Sequence, residues 1–137
     1  MHWERHALGR EGERLAAEHL ERAGYRIVGR NVRAGGVELD LVVRRGRTLA
    51  FVEVKSRQGR RFGRPEEAVD ARKQARIARG AGAWLHAHRP GAVRVRFDVV
   101  VVEPDAEGAL TVRHWPAAFD APPARPLAAL RRTCRNR

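Results

Sequence analysis

Three side chains in the first half of this chain could act together on a phosphodiester. Asp40 follows Glu38-Leu39, and Glu53 and Lys55 stand two apart in Phe51-Val52-Glu53-Val54-Lys55. Carboxylate oxygens are what hard divalent ions prefer as ligands, so Asp40 and Glu53 are candidates to bind one or two Mg²⁺ or Mn²⁺ ions. The backbone carbonyl of Val54 is a candidate further ligand. Glu-x-Lys on a strand points both side chains one way. Lys55 could therefore hold a water or stabilise negative charge beside the metal. A metal so held would lower the pKa of a water and clamp phosphoryl oxygens. The competing reading is a structural ion pair, because Glu-x-Lys is a common pairing on polar strand faces.

The pattern around these residues predicts the elements that hold them. Leu39, Leu41 and Val43 alternate with Glu38 and Asp40; Ala50, Val52 and Val54 alternate with Glu53 and Lys55. Period two predicts two half-buried strands, with a hairpin turn at Arg45-Gly46-Arg47. If Arg44 pairs with Leu49, Asp40 falls opposite Glu53; a register two residues away puts Glu38 there instead. A one-residue slip would send the acids to opposite faces. Two carboxylates facing each other across a strand pair repel, so a cation is expected there, either Lys55 or a divalent ion.

At 137 residues the chain predicts one domain with a core of its own. The single cysteine, Cys134, excludes an intrachain disulfide and a cysteine-based zinc site and fits a reducing cytoplasm. The first residues have no apolar run resembling a signal peptide, and stretches such as Val99–Val102 are too short to span a bilayer. A formal net charge of +12 favours a polyanionic partner. No apolar amphipathic anchor accompanies it, which argues against a membrane surface. Only Lys55 and Lys73 among the 28 cationic residues are lysines. A lysine where arginine is the habit suggests a site that needs a compact point charge.

The remaining chain supplies a frame. Residues 8–23 predict a helix with Leu8, Gly12, Leu15, Ala16, His19, Leu20 and Ala23 on one stripe, Glu13 on its flank, and Gly24 ending it. A first strand follows at 25–32, then a turn at Ala34-Gly35-Gly36. Residues 56–64 read as a basic loop suited to phosphates, or simply as a solvated loop. Pro65 predicts the start of a helix running to about Ala87, with Ala68, Ala71, Ala75, Ala78, Gly82 and Leu85 facing the sheet. Arg72, Lys73, Arg76 and Arg79 occupy much of its remaining surface. A strand over 93–102 should be inner, with Asp98 paired to an arginine. A short strand at 110–114 precedes a basic Pro/Ala/Arg-rich tail, giving a domain at 1–115 and a tail at 116–137.

Taken in order, these segments resemble the YraN-like family of small bacterial proteins. The matching pieces are Gly12-Glu13-x-x-Ala16, Gly24-Tyr25, Arg30-Asn31, Gly36-Val37-Glu38-Leu39-Asp40-Leu41, and Phe51-Val52-Glu53-Val54-Lys55-Ser56-Arg57. Further on come Phe62-Gly63-x-Pro65-x-Glu67-Ala68-Val69, Lys73 and Arg96-Phe97-Asp98-Val99-Val100. Val37, Leu39 and Ser56 depart from the usual family residues and touch no proposed ligand. The resemblance implies an α/β restriction-endonuclease-like fold with an αβββαβ core, similar to archaeal Holliday junction resolvases. It implies a metal-dependent nuclease acting on DNA, including branched or structured DNA, and it adds Glu13 to the metal ligands. Arg30, Arg33, Arg57, Arg60, Arg61 and Lys73 are the candidate phosphate contacts. Related resolvases work as dimers, so a homodimer is one expected assembly. The alternative is a nucleic-acid-binding protein that keeps the fold without catalysis.

Overall fold

In the computed structural model, residues 3–58 and 68–121 are described. The elements run α1 (Arg5–Arg22), β1 (Arg26–Ala34), β2 (Val37–Arg45), β3 (Thr48–Ser56), α2 (Ala71–His88), β4 (Arg94–Pro104) and β5 (Leu110–Phe119). The five strands form one mixed sheet in sequence order. Only β3 and β4 run parallel, joined by the α2 crossover; the other pairs are antiparallel. One helix covers each face. Ala16, Ala17 and Leu20 of α1 pack with Leu41, Val43, Ala50, Val52, Val100 and Val102. Ile77, Ala81 and Trp84 of α2 pack with Val37, Leu39, Val42, Phe51, Phe97 and Val99. The expected αβββαβ order and mixed sheet are therefore present, and no helix among the described residues is long and apolar enough to cross a membrane.

Local chemistry sets the helix ends. Glu4 caps α1, its carboxylate accepting the His6 and Ala7 N–H groups at 2.9 Å, so the helix begins three residues before Leu8. At the far end Gly24 adopts φ 93°, and the Gly24 and Tyr25 N–H groups reach back to the carbonyls of Glu21 and Leu20. These two bonds make a Schellman cap. Gly12 lies against Ser56 so closely that a Cβ there would overlap the serine hydroxyl. The missing side chain lets α1 lie over the end of β3, and the next residue, Glu13, faces Asn31 of β1 and Asp40 of β2.

The second helix differs from expectation in start and face. Its α-helical part begins at Ala71, because Asp70 is the N-cap and its carboxylate takes the Lys73 N–H at 2.8 Å. Pro65, expected at the first position, lies outside the described residues. The buried stripe is Ile77, Gly80, Ala81 and Trp84, while Ala71, Ala75 and Gly82 are exposed. Ile77 and Trp84 bury more apolar area than an alanine row can, and area sets the hydrophobic gain. Gly80 allows the close approach, since a Cβ there would sit 3.1 Å from side-chain atoms of both Val37 and Leu39.

Strand β4 is inner, as expected, with Phe97 to Glu103 all buried. Asp98 is fully buried and does pair with an arginine. Arg96 donates to both its oxygens at 2.8 Å, His114 Nε2 donates at 2.8 Å and the Ala117 N–H at 3.0 Å. Burial acts to raise this carboxyl, but the donors from His114, Arg96 and Ala117 outweigh it and hold it below its ordinary value. Arg96 also reaches the Tyr25 hydroxyl. The last strand does not stop at His114. It passes through Ala117, held at φ 52° by the Asp98 bond, and continues to Phe119, whose ring stacks on Phe97 at 5.3 Å. Strand β5 thus runs through residue 116, and residues 122–137 lie outside the described residues.

Candidate functional site

The hairpin of β2 and β3 closes at Arg45↔Thr48, with Gly46 at φ 60°, and Arg44 pairs with Leu49. This is the register that places Asp40 across from Glu53. The ladder's last pair is Leu41↔Val52. Beyond it the strands fork, and the Asp40 carboxylate fills the place of the next ladder carbonyl, accepting the Val54 N–H at 2.8 Å.

Asp40 can do this because the alternation of β2 breaks there. Leu41 and Val43 face α1, as the period predicts, but Leu39 joins Val37 on the α2 side. The expected shared face of Leu39, Leu41 and Val43 is thus wrong at Leu39. Strand β1 makes the same switch: Arg30 lies across from Leu41, and Val32 across from Leu39. Between them sits Asn31 at φ 48°. At the shift, Asp40 turns into the fork between β2 and β3, where acids from both faces of the sheet can meet it.

Those acids are Glu53 and Glu13. Glu53 lies beside Asp40 and acts on it through its charge and a side-chain hydrogen bond. Burial first, and the Glu53 charge second, push the Asp40 carboxyl up to about 7; the Val54 N–H and the Lys73 charge oppose the rise. Glu13 comes from α1 on the other side. Its carboxyl is raised by burial and by the Asp40 charge, while a 3.4 Å hydrogen bond from Asn31 Nδ2 lowers it. Glu13, Asn31 and Asp40 line an open cleft of about 230 Å³ with Arg10, Arg14, Arg30 and Leu41.

The expected cation is present, but it is Lys73. Its Nζ lies 3.4 Å from Glu53 Oε2, carried there by the first turn of α2. Lys55 is exposed on the same strand face and makes no ion pair among the described residues. The scarcity of lysine singled out Lys55 and applied equally to Lys73, so a signal for this contact was in the sequence. Among the expected phosphate contacts, Arg30 lines the cleft and Arg33 is exposed at the edge strand, 4.0 Å from Glu38. Arg57 is engaged elsewhere: it bonds Glu103 at 3.1 Å, and its N–H bonds the Val102 carbonyl. Arg60 and Arg61 lie outside the described residues. Arg10, Arg14 and Asn31 were not foreseen as parts of the site.

The donor set suits a hard cation. Asp40, Glu53 and Glu13 offer only oxygen, and the Asp40–Glu53 repulsion is offset by a single lysine. No group of three or more His, Cys, Asp or Glu among the described residues is assembled as a metal cage. Mg²⁺ is ordinarily bound by one or two carboxylates and keeps several waters, so a two-carboxylate fork fits it.

Comparison with known proteins places the chain. The pattern of Uncharacterised protein family UPF0102 matches residues 12–102. UPF0102 protein STH1475 of Symbiobacterium thermophilum is 49% identical over 114 residues, covering 83% of this chain and 97% of the relative. UPF0102 protein FRAAL5785 of Frankia alni is 50% identical over 113 residues, covering 82% and 94%. A UPF0102 protein of Syntrophotalea carbinolica is 46% identical over 120 residues, covering 88% and 97%. A solved structure of Pyrococcus furiosus SfsA in complex with Ca²⁺ is similar at 17% identity and a TM-score of 0.37, over 80% of this chain and 62% of that one. Nothing about this chain's chemistry follows from a likeness so slight. The matched span includes Glu13, Asp40, Glu53, Lys55 and Lys73, and the chain belongs to the UPF0102 family, the YraN-like family whose motifs it carries.

Proposed function

We propose that this protein is a metal-dependent nuclease that hydrolyses phosphodiester bonds in DNA, branched or otherwise structured DNA included. The observation that carries the reading is the fork at the end of the β2–β3 ladder, where Asp40 and Glu53 are held together against their own repulsion. Asp40, Glu53 and the Val54 carbonyl would hold Mg²⁺ or Mn²⁺, with Glu13 joining from α1. The ion, when bound, supplies Lewis acidity and a water of lowered pKa. The chain's own residues do the rest. The Val54 N–H fixes one Asp40 oxygen. Lys55, exposed on the Glu53 face, orients the attacking water or stabilises charge on the phosphate. Lys73 neutralises Glu53 in the metal-free protein and is placed to turn toward a phosphate oxygen once that carboxylate is otherwise engaged. Arg30, with Arg33 further along β1, offers charge to the backbone on the α1 side, and the net charge of +12 draws a polyanion in.

A second reading has an observation in its favour. Among the described residues no group of three or more His, Cys, Asp or Glu is arranged to hold a metal ion; a non-catalytic nucleic-acid-binding protein would need only the charge. Cleavage of duplex, single-stranded, flap, four-way-junction and RNA substrates with Mg²⁺ or Mn²⁺ separates the two. Asp40→Asn and Lys55→Ala are run beside the wild type, with folding checked by circular dichroism. Cleavage lost in both folded variants supports the nuclease. Binding without cleavage, unchanged by either substitution, favours the binding protein.

A further inference from the structure

We infer that Asn31 is a positioning residue, which aims the Glu13 carboxylate into the fork from the opposite face of the sheet. The inference rests on the metal-binding reading and concerns a residue for which that reading has no task. Three observations meet at this position.

The first is backbone conformation. Asn31 has φ 48° inside a strand. This is the left-handed region, which asparagine enters more readily than most residues with a side chain. A β-branched residue, the usual choice in a strand, would be strained there.

The second is register. The pairs Arg30↔Leu41 and Val32↔Leu39 bracket Asn31 and Asp40. Both strands exchange their α1-facing and α2-facing side chains across this step. One irregularity therefore turns Asp40 into the fork and Asn31 into the cleft that Glu13 borders.

The third is the side chain. Asn31 Nδ2 lies 3.4 Å from Glu13 Oε2. An ionised carboxylate only accepts hydrogen bonds, so the amide must present its NH₂ group to it. That bond engages one Glu13 oxygen and leaves the other for a cation. A neutral donor orients the carboxylate without competing for its charge, whereas an arginine at this position would compete.

The test is Mn²⁺ affinity, read as free ion by electron paramagnetic resonance in a double-mutant cycle. Asn31→Gly keeps the left-handed backbone and deletes the amide; Glu13→Gln deletes the ligand. Outer-shell partners of metal ligands typically contribute about 10–100-fold in affinity. The 3.4 Å bond is long, so Asn31→Gly is expected to weaken Mn²⁺ about tenfold in the wild-type background and not measurably in Glu13→Gln. Equal weakening in both backgrounds, or none in either, overturns the positioning role and leaves the metal reading standing. A folded wild type that binds no Mn²⁺ overturns both. Asn31→Asp adds a control on the backbone: it tolerates the same conformation but cannot donate, so an affinity equal to wild type would also overturn the role.

Discussion

The sheet carries two inward-turned aspartates whose surroundings are opposite. Asp98, on β4, is fully enclosed, and every neighbour is a donor: Arg96, His114 and the Ala117 N–H. Asp40, on β2, has one backbone donor and faces two further acids. The first carboxyl is held below its ordinary value and the second is raised to about 7. A satisfied buried charge ties elements together; here it fastens β5 to β4 and, through Arg96, to Tyr25. An unsatisfied one keeps affinity in reserve for something absent from the chain. Perturbed carboxyls mark functional sites only in a probabilistic way, and the direction of the perturbation is what separates these two.

The largest expected effect breaks the comparison at its satisfied end. Asp98→Ala leaves a half-buried arginine without its anion and releases the bond that holds Ala117. Breaking a buried pair costs about 3–5 kcal/mol. Urea denaturation should show a loss of that order, and a change of less than about 1 kcal/mol would remove Asp98 from its structural role.

Asp40→Asn should do the reverse. Mn²⁺ binding and DNA cleavage should be lost, while metal-free stability stays level or rises, since like charges across a strand pair cost about 0.2–1 kcal/mol. A large fall in stability would show that Asp40 works as Asp98 does.

The two aspartates should also answer pH with opposite signs. Asp40 has a folded value near 7, above its ordinary 3.8. Its contribution to stability is therefore fully present below that lower value and is lost as pH rises through about 7. Asp98 is depressed in the fold, so its contribution is present above the ordinary carboxylate range and is lost as pH falls through its folded value. In metal-free buffer, thermal denaturation should show stability declining toward neutrality in the wild type, less so in Asp40→Asn, with an acid-side loss common to both. Saturating Mg²⁺ should flatten the neutral decline.

The smallest effect sharpens the unsatisfied end. Lys73 is partly exposed, and such pairs contribute about 0.2–1 kcal/mol. Lys73→Met should therefore tighten Mn²⁺ binding a few-fold by removing the competitor for Glu53. Weaker binding would make Lys73 a support of the site instead.

Much of this arrangement was legible beforehand because it rests on local rules. Alternation gave the β2 and β3 strands, turn chemistry gave Gly46, the glycine stop gave Gly24, and an aspartate among arginines gave Asp98 an arginine partner, which the structure identifies as Arg96. The α2 face was misread because a row of alanines looks like a packing face, whereas Ile77 and Trp84 carry the apolar area. The last strand was cut short at a proline, although Phe119 and the Asp98 bond draw the chain onward.

By itself, the sequence determined the order of elements, the shared acidic face of the β2–β3 hairpin, and the family. These depend on periodicity, spacing and turns, which act over a few residues. The pairing of Arg44 with Leu49 chose Asp40 over Glu38 as the residue across from Glu53. Only the tertiary structure decided that β2 breaks its alternation at Asp40, that Glu13 arrives over Gly12, and that Lys73 rather than Lys55 stands beside Glu53. Each of these places together side chains from different elements. Such contacts follow from how two helices seat on one twisted sheet, and no short stretch of chain carries that information.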